Sequence, residues 1–243
     1  MIVDSHTHAE EAHAMGWVDP PEVILGLMGE AGIDRAVIMT YVDASDEGPI
    51  DYIADAVRRY PDRLIGYARI HPGAERAAEL LELAVARHGF KGLKLHPVSN
   101  LSHPADEGTG ALLRKAAELG VPALFHCGDE PYTTPLELEH AAAAVPEVDV
   151  IFGHMGGYFH VEEAIAVALR RANVYLETSA MPRPALIRSA IDALGPERVL
   201  FASDGPGCDP RLEVHKVERA GLTDRERELV FAGNITRIWK EEG

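Results

Sequence analysis

The sequence predicts an α/β fold, a single (β/α)8 TIM barrel that spans residues 1–243. Eight short apolar segments alternate with helical segments along the whole chain. The apolar segments are mostly continuous runs, as expected for parallel strands that are covered on both faces. The helical segments between them permit the right-handed crossovers that parallel strands need, and 243 residues suit one such barrel.

The predicted strands are short and rich in valine, isoleucine, leucine and alanine. A doubly wound open sheet is the alternative, but that fold normally has a glycine-rich phosphate loop after its first strand. His6-Thr7-His8 stands at that place instead. The strands are predicted at Ile2–Thr7, Arg35–Tyr41, Leu64–Ile70, Lys91–His96, Ala123–His126, Val148–His154, Val174–Thr178 and Val199–Asp204.

The predicted helices lie between the strands, and three more follow the last strand. Gly32 is a typical C-terminal stop for the first helix, and Tyr60-Pro61 closes the second. The apolar tail residues Ile238 and Trp239 are expected to cover either the barrel or a partner, which leaves a homodimer open. The helices are predicted at Pro20–Ala31, Ile50–Arg59, Ala74–Arg87, Gly110–Leu119, Leu136–Ala144, Val161–Arg171, Pro184–Leu194, Leu212–Ala220, Asp224–Phe231 and Asn234–Lys240.

The composition favours a cytoplasmic protein that acts on a small molecule. The chain has 39 acidic and 23 basic residues, a net charge of −16, and no basic run, which disfavours a nucleic-acid partner. Cys127 and Cys208 form no Cys-x-x-Cys pair, so a reducing compartment is expected. Neither a signal-peptide pattern nor an apolar run of membrane-spanning length occurs in the sequence, so no membrane association is expected.

Polar residues cluster at the predicted C-terminal ends of the strands, where barrel enzymes carry their chemistry. His6 and His8 are two residues apart on a strand, so both imidazoles project to the same face. Imidazole and carboxylate groups are common metal ligands. The residues of metal-binding type at this rim are His6, His8, His126, His154 and Asp204, and together they predict a metal centre.

The ordered motifs resemble those of the amidohydrolase superfamily, in the branch of metal-dependent barrel hydrolases and decarboxylases typified by aminocarboxymuconate semialdehyde decarboxylase. The resemblance covers almost the whole chain. It rests on Asp4-Ser5-His6-Thr7-His8, Gly92-Leu93-Lys94-Leu95-His96-Pro97, His126-Cys127-Gly128, Gly153-His154-Met155-Gly156-Gly157, Phe201-Ala202-Ser203-Asp204-Gly205-Pro206 and Gly233-Asn234-Ile235.

The resemblance implies that His6, His8, His126 and Asp204 bind one divalent metal ion and that His154 is a catalytic residue beside it. Zinc is the expected ion, with manganese or iron as alternatives. Gly205 departs from the family, which commonly has an aromatic residue after the aspartate of the eighth strand. This departure falls on a loop that shapes the pocket and affects the choice of substrate.

The main functional hypothesis is hydrolysis of an amide, lactone or ester bond in a small organic substrate by a metal-activated water. Asp204 would accept the proton of the water, and His154 would stabilise the oxyanion or shuttle the proton. The alternative is non-oxidative decarboxylation of a small aromatic or enoic acid at the same metal. A TatD-like nuclease or phosphoesterase and a non-catalytic scaffold rank behind both.

Substrate binding is assigned to polar side chains near the same rim. A substrate carboxylate requires a cation, and the candidates by position are Arg69, Lys94, Arg183 and Arg211. Lys94 could instead pair with Glu177 inside the barrel mouth or, as in some relatives, be carbamylated and bridge two metals. The residues assigned to substrate binding are Arg69, Lys94, His96 and Glu177.

Overall fold

A computed structural model of the protein describes residues 1–241 and confirms the predicted barrel. Eight parallel strands follow one another around a single sheet in the order of the sequence. The first and last strands close the ring, because the Ser5 amide donates to the carbonyl of Phe201 at 3.1 Å and Thr7 bridges Gly205. Glu242 and Gly243 lie outside the described residues, so a domain with bounds 1–243 stays a prediction.

The observed strands lie within the predicted segments or extend one residue past them. The largest difference is at the eighth strand, which ends at Leu200 rather than at Asp204 because the backbone leaves the ladder there. The strands are β1 Val3–His8, β2 Arg35–Met39, β3 Leu64–Arg69, β4 Gly92–Leu95, β5 Ala123–Phe125, β6 Val150–Phe152, β7 Val174–Glu177 and β8 Val199–Leu200.

Helices connect the strands, and all predicted helices are present; the one at Pro184–Leu194 has the predicted bounds, and the others have shifted ends. A π-helical turn at Leu83–Arg87 continues the helix Ala77–Glu82. Within the described residues, no helix combines the length and apolarity needed to cross a bilayer. The helices are α1 Pro21–Ala31, α2 Gly48–Arg59, α3 Ala77–Glu82, α4 Pro97–Asn100, α5 Glu107–Leu119, α6 Pro135–Ala144, α7 Val161–Arg170, α8 Pro184–Leu194, α9 Pro210–Glu218, α10 Asp224–Glu228 and α11 Asn234–Ile238.

Two elements have no counterpart in the sequence prediction. The short helix α4 follows β4 directly, and Pro97 begins it. A small antiparallel hairpin, Glu10–Ala12 paired with Trp17–Asp19, fills the connection between β1 and α1. Three-residue strands are too short to show an alternating apolar pattern, so the sequence gives no signal for this hairpin.

Apolar side chains pack in two layers, one between the strands and the helices and one inside the barrel. The inner layer includes Tyr67 on β3 and the tail residues Ile238 and Trp239. Trp239 donates from Nε1 to the Tyr67 hydroxyl at 2.8 Å. The tail therefore covers the barrel itself, which decides between the two positions that the sequence left open for these residues.

Gly92 on β4 makes room for the Tyr67 ring inside the barrel. A Cβ atom at residue 92 would lie 2.4 Å from that ring, much closer than atoms in proteins approach. The bulky ring and the glycine on neighbouring strands therefore fill the interior together, below the level at which the polar residues begin.

Candidate metal centre

Most of the predicted polar residues line one cavity of about 390 Å³ at the C-terminal ends of the strands. Barrel enzymes place their active sites at this end of the barrel. The tail residues Ile238 and Trp239 cover the opposite end. The cavity wall consists of His6, His8, Tyr41, Val42, Asp43, Arg69, Lys94, His96, Ser99, His126, His154 and Asp204.

Asp204 lies at the centre of the possible metal ligands. His6, His154 and Asp204 each offer one ligand atom, and these three atoms lie within 4.8 Å of one another. Oδ1 of Asp204 is 3.4 Å from Nε2 of His6 and 3.2 Å from Nε2 of His8. This arrangement brings the two histidines of β1 and the aspartate after β8 to one point, as the sequence predicts.

His126 joins the cluster through His154. Nδ1 of His126 lies 3.1 Å from Nε2 of His154, and the other ring nitrogen, Nε2, lies 3.2 Å from the Glu130 carboxylate. The hydrogen bond with His126 lowers the pKa of Glu130 to about 2, so Glu130 accepts and His126 donates from Nε2. Nδ1 of His126 then has no proton, and its lone pair faces the cluster.

The protonation states of this cluster suit a metal ion. Burial lowers the pKa of His6 to about 3 and that of His126 to about 4, so both rings are neutral at pH 7. Burial alone would raise the pKa of Asp204, but contacts with His6 and His8 hold it well below its ordinary value. Neutral imidazoles and an ionised carboxylate are the forms that bind zinc, manganese or iron. The cluster can therefore hold a divalent metal ion.

Lys94 and Arg69 are two buried basic side chains beside the cluster. Nζ of Lys94 is 2.9 Å from Nε2 of His6, and burial lowers the pKa of Lys94 to about 7. Arg69 donates from Nε to Asp43 at 2.9 Å and from Nη2 to the Ser99 hydroxyl at 2.9 Å. Two of the predicted substrate-binding residues therefore lie on neighbouring strands of the cavity wall.

Glu177 lies behind His6 rather than on the cavity wall. Its carboxylate accepts from Nδ1 of His6 at 2.9 Å. Nζ of Lys94 is hydrogen-bonded to Nε2 of His6 instead of to Glu177. His96 does line the cavity, and its ring stacks on that of His126 with centroids 4.0 Å apart.

Two arginines considered from the sequence lie elsewhere. Arg183 is half exposed and 3.9 Å from Glu162, and Arg211 pairs with Asp209 and Glu30. Neither residue lines the cavity, because each lies in or next to a helix beyond the ends of β7 and β8, not on a strand. The structure therefore does not bring these two arginines together with the other carboxylate-binding candidates, Arg69 and Lys94.

The backbone is strained at two of the site residues. His154 and Asp204 both have a φ of 60°, in the left-handed region that non-glycine residues seldom occupy. Such conformations persist where surrounding contacts hold them, and they are common at active sites. The turns after β6 and β8 thus direct His154 and Asp204 into the cluster.

Several cavity residues were missed by the sequence analysis. The Tyr41 ring stacks on His8 with centroids 4.5 Å apart, and Asp43 and Ser99 hold Arg69. Glu130 fixes the ring of His126. Tyr41 is the last residue of the second predicted strand, which was the one usable signal, whereas Asp43 and Glu130 lie in loops and Ser99 in the unpredicted helix α4.

Comparison with known proteins agrees with this fold and these motifs. The sequence model of the family described as amidohydrolase matches residues 3–240. No curated protein matches the chain.

Solved structures with the same fold share few identical residues with this chain. A barrel protein of uncharacterised function from Bordetella bronchiseptica has a TM-score of 0.82 and 18% identity, with 99% of this chain and 98% of that chain covered. The 2,6-dihydroxybenzoate decarboxylase from Rhizobium has a TM-score of 0.81 and 17% identity, with 100% and 99% covered.

A dihydroxybenzoic acid decarboxylase from a Polaromonas species, solved with manganese and the inhibitor 2-nitroresorcinol, has a TM-score of 0.78. It is 18% identical, with 98% of this chain and 96% of that chain covered. These similarities show the fold, and the family match extends over nearly the whole chain. The chain belongs to the amidohydrolase family.

Proposed function

We propose that this protein is a metal-dependent, non-oxidative decarboxylase of a small aromatic acid. The observation that carries this proposal is the pairing of an Asp204-centred donor cluster with two buried basic residues, Arg69 and Lys94, in one cavity. The N–H donors of basic side chains suit an anionic substrate. The similarity to decarboxylases of dihydroxybenzoic acids supports this choice over the hydrolase hypothesis.

The size and wall of the cavity fit an acid with one ring. A volume of about 390 Å³ lies at the lower end of the range for small-molecule sites. Tyr41, stacked on His8, offers an aromatic surface next to the donor cluster. We therefore favour a hydroxylated benzoic acid or a similar planar acid over a longer or branched substrate.

The ligands proposed for the metal are His6, His8, His126 and Asp204, as the family motifs imply. A divalent ion held there would stabilise negative charge on a substrate oxygen as a Lewis acid. Zinc and manganese both accept this set of nitrogen and oxygen atoms, so the two ions are to be tested side by side.

Arg69 and Lys94 are proposed to orient the substrate carboxylate through N–H donors. The bond between the carboxyl carbon and the ring carbon then breaks, CO2 leaves, and the electron pair that remains on the ring carbon takes up a proton. Asp204, with His154 beside it in the cluster, is proposed to relay a proton from solvent to that carbon. One proton from solvent balances each turnover, because a carboxylate is replaced by a C–H bond.

Hydrolysis of an amide, lactone or ester is the second candidate. The ionised Asp204 carboxylate beside His8 is an acceptor for a water proton, which this reaction requires. The same cavity would then bind the acyl group of a neutral substrate, for which Arg69 and Lys94 have no evident use.

The test is a substrate screen of metal-loaded protein. Zn²⁺- and Mn²⁺-loaded samples are incubated with hydroxybenzoic acids, and CO2 release is measured. Parallel samples receive lactones, esters and amides, and acid release is measured. Asp204→Asn is the control. Release of CO2 that Asp204→Asn abolishes supports the proposal, whereas acid release without any CO2 release contradicts it.

A further inference from the structure

Glu177 connects two histidines of the cluster from behind. This fully buried carboxylate accepts from Nδ1 of His6 at 2.9 Å and from the backbone amide of His154 at 2.9 Å. It also accepts from the Ser179 amide at 2.7 Å and the Ser179 hydroxyl at 2.9 Å. One carboxylate thus holds a side chain of β1 and the strained turn after β6 together.

The tautomer of His6 follows from its two neighbours. An ionised carboxylate only accepts hydrogen bonds, so His6 must donate from Nδ1 to Glu177. On the other side of the ring, Nζ of Lys94 lies 2.9 Å from Nε2 of His6. Because the single proton of the neutral ring is on Nδ1, Nε2 accepts, and Nζ of Lys94 donates to it whether it is an ammonium or an amine. The Lys94 contact therefore agrees with the tautomer that Glu177 sets, with the Nε2 lone pair directed at the cluster.

The tautomer of His154 depends on the single proton of the Ser179 hydroxyl. Oγ of Ser179 lies 2.8 Å from Nδ1 of His154 and 2.9 Å from Oε1 of Glu177. The carboxylate is the stronger acceptor and takes this proton. Oγ then accepts from Nδ1–H of His154, so Nε2 of His154 has no proton and offers a lone pair.

One contact argues for the opposite tautomer of His154. Nε2 of His154 lies 3.1 Å from Nδ1 of His126. Nδ1 of His126 has a lone pair and no proton, because Nε2 of the same ring carries the proton and donates it to Glu130. His154 could donate a proton across this gap. Without such a proton, two lone pairs face each other across this gap, so the hydrogen bonds of Ser179 to Glu177 and His154 must outweigh that repulsion.

We infer that Glu177 and Ser179 are positioning residues that hold His6 and His154 in the Nδ1–H tautomer, so that both Nε2 atoms face the metal centre. This inference deepens the proposed function and rests on it for the use of the two lone pairs. Glu177 is accordingly taken as a residue that acts through His6, in place of the substrate-binding role expected from the sequence.

The test reads the tautomers directly in metal-free protein. Histidine is labelled with 15N, and long-range 1H–15N correlation spectra are assigned with His6→Gln and His154→Gln. We expect Nδ1–H for both residues in the wild type. Ser179→Ala should shift His154 toward Nε2–H and leave His6 unchanged, whereas Glu177→Gln should perturb both rings.

Ser5→Ala is the matched control, because the Ser5 hydroxyl is also buried but donates to the backbone carbonyl of Phe201. It should alter neither tautomer. An Nε2–H tautomer of either ring in the wild type, or a Ser179→Ala spectrum with His154 unchanged, would overturn the inference. If Glu177→Gln does not fold, the wild-type and Ser179→Ala spectra still decide.

Zn²⁺ affinity gives a second measurement that is independent of turnover. Glu177→Gln should weaken Zn²⁺ binding by about 10–100-fold, because His6 loses its orientation. Ser179→Ala should leave Zn²⁺ affinity close to the wild-type value, because His154 is not among the proposed ligands. Equal losses of Zn²⁺ affinity in the two variants would contradict the assignment of His6, and not His154, as a metal ligand. Absence of decarboxylase activity, by comparison, would leave both the tautomers and these affinities unaffected.

Discussion

Nζ of Lys94 lies 2.9 Å from Nε2 of His6, on the side of the ring that faces the donor cluster. Lys94 is only 1% exposed, so water does little to screen its charge. Nζ of Lys94 therefore occupies the lone pair that a metal ion would use. Lys94 and the ion compete for His6, although both are suited to an anionic substrate.

Replacement of Lys94 should separate its competition with the metal ion from its attraction of the substrate. Lys94→Met is expected to strengthen Zn²⁺ or Mn²⁺ binding by about tenfold, because a nearby positive charge is removed and Nε2 of His6 is released. The same variant should raise KM for the acid substrate. Isothermal titration with each ion measures the first effect, and steady-state kinetics measure the second.

Lys91→Met is the control for Lys94→Met. Lys91 lies just before the same strand but is 41% exposed and near Glu241, so its loss should change neither quantity. Weaker metal binding in Lys94→Met would contradict the competition. It would instead favour a direct role of Lys94 in holding metal, as a bridging carbamate would have.

Metal content of single variants tests the proposed ligand set. His126→Ala and Asp204→Ala should lose the ion and the activity, because each removes a proposed ligand atom. His154→Ala should lose activity but keep most of the metal. Elemental analysis of the purified proteins after reconstitution gives the answer. If His154→Ala loses metal as completely as the others, then His154 also belongs to the ligand set and is misassigned.

Arg69 should determine the affinity for the substrate carboxylate. Arg69→Gln is expected to raise KM by about 10–100-fold with a smaller effect on kcat, since a charge-assisted contact is lost. Asp43→Asn should act in the same direction but more weakly, because Asp43 only holds the guanidinium in place. Arg76→Gln, at an exposed arginine, serves as the control. A fall in kcat with KM unchanged would place Arg69 in the chemical step instead.

The hydrogen bond between Trp239 and Tyr67, at the end of the barrel opposite the cavity, should contribute measurably to the stability of the fold. Trp239→Phe removes the donor to the buried Tyr67 hydroxyl and should lower the free energy of unfolding by about 1–3 kcal/mol. The double variant with Tyr67→Phe should cost less than the sum of the two single variants, because no hydroxyl is then left unpaired. Urea unfolding measures both, with the exposed Leu212→Ala as control. Strict additivity would show that the two side chains do not interact.

The positions of His6, His8, His126, His154 and Asp204 could be predicted because they depend on two regular features. Side chains two residues apart share a face of a strand, and parallel strands of a barrel all end on one rim. All five residues line the cavity for this reason. The ends of the strands were less predictable. β8 stops at Leu200, and Asp204 takes up a left-handed backbone conformation that its residue type does not indicate.

The partners of the polar residues could not be predicted from the sequence. Glu177 was expected to pair with Lys94 or the metal, and the structure pairs it with His6. Arg69 is held by Asp43 and Ser99, which come from two different connections. These contacts depend on the three-dimensional path of loops, which neither periodicity nor spacing determines.

The most direct test of the account is a titration of metal-free protein with Mn²⁺ during decarboxylation of a hydroxybenzoic acid from the screen. CO2 release should start from zero, rise with added ion and reach its maximum at about one equivalent, as one mononuclear site requires. Asp204→Ala should release no CO2 at any Mn²⁺ concentration. CO2 release by the metal-free protein at the full rate, or release from Asp204→Ala equal to that of the wild type, would contradict the account.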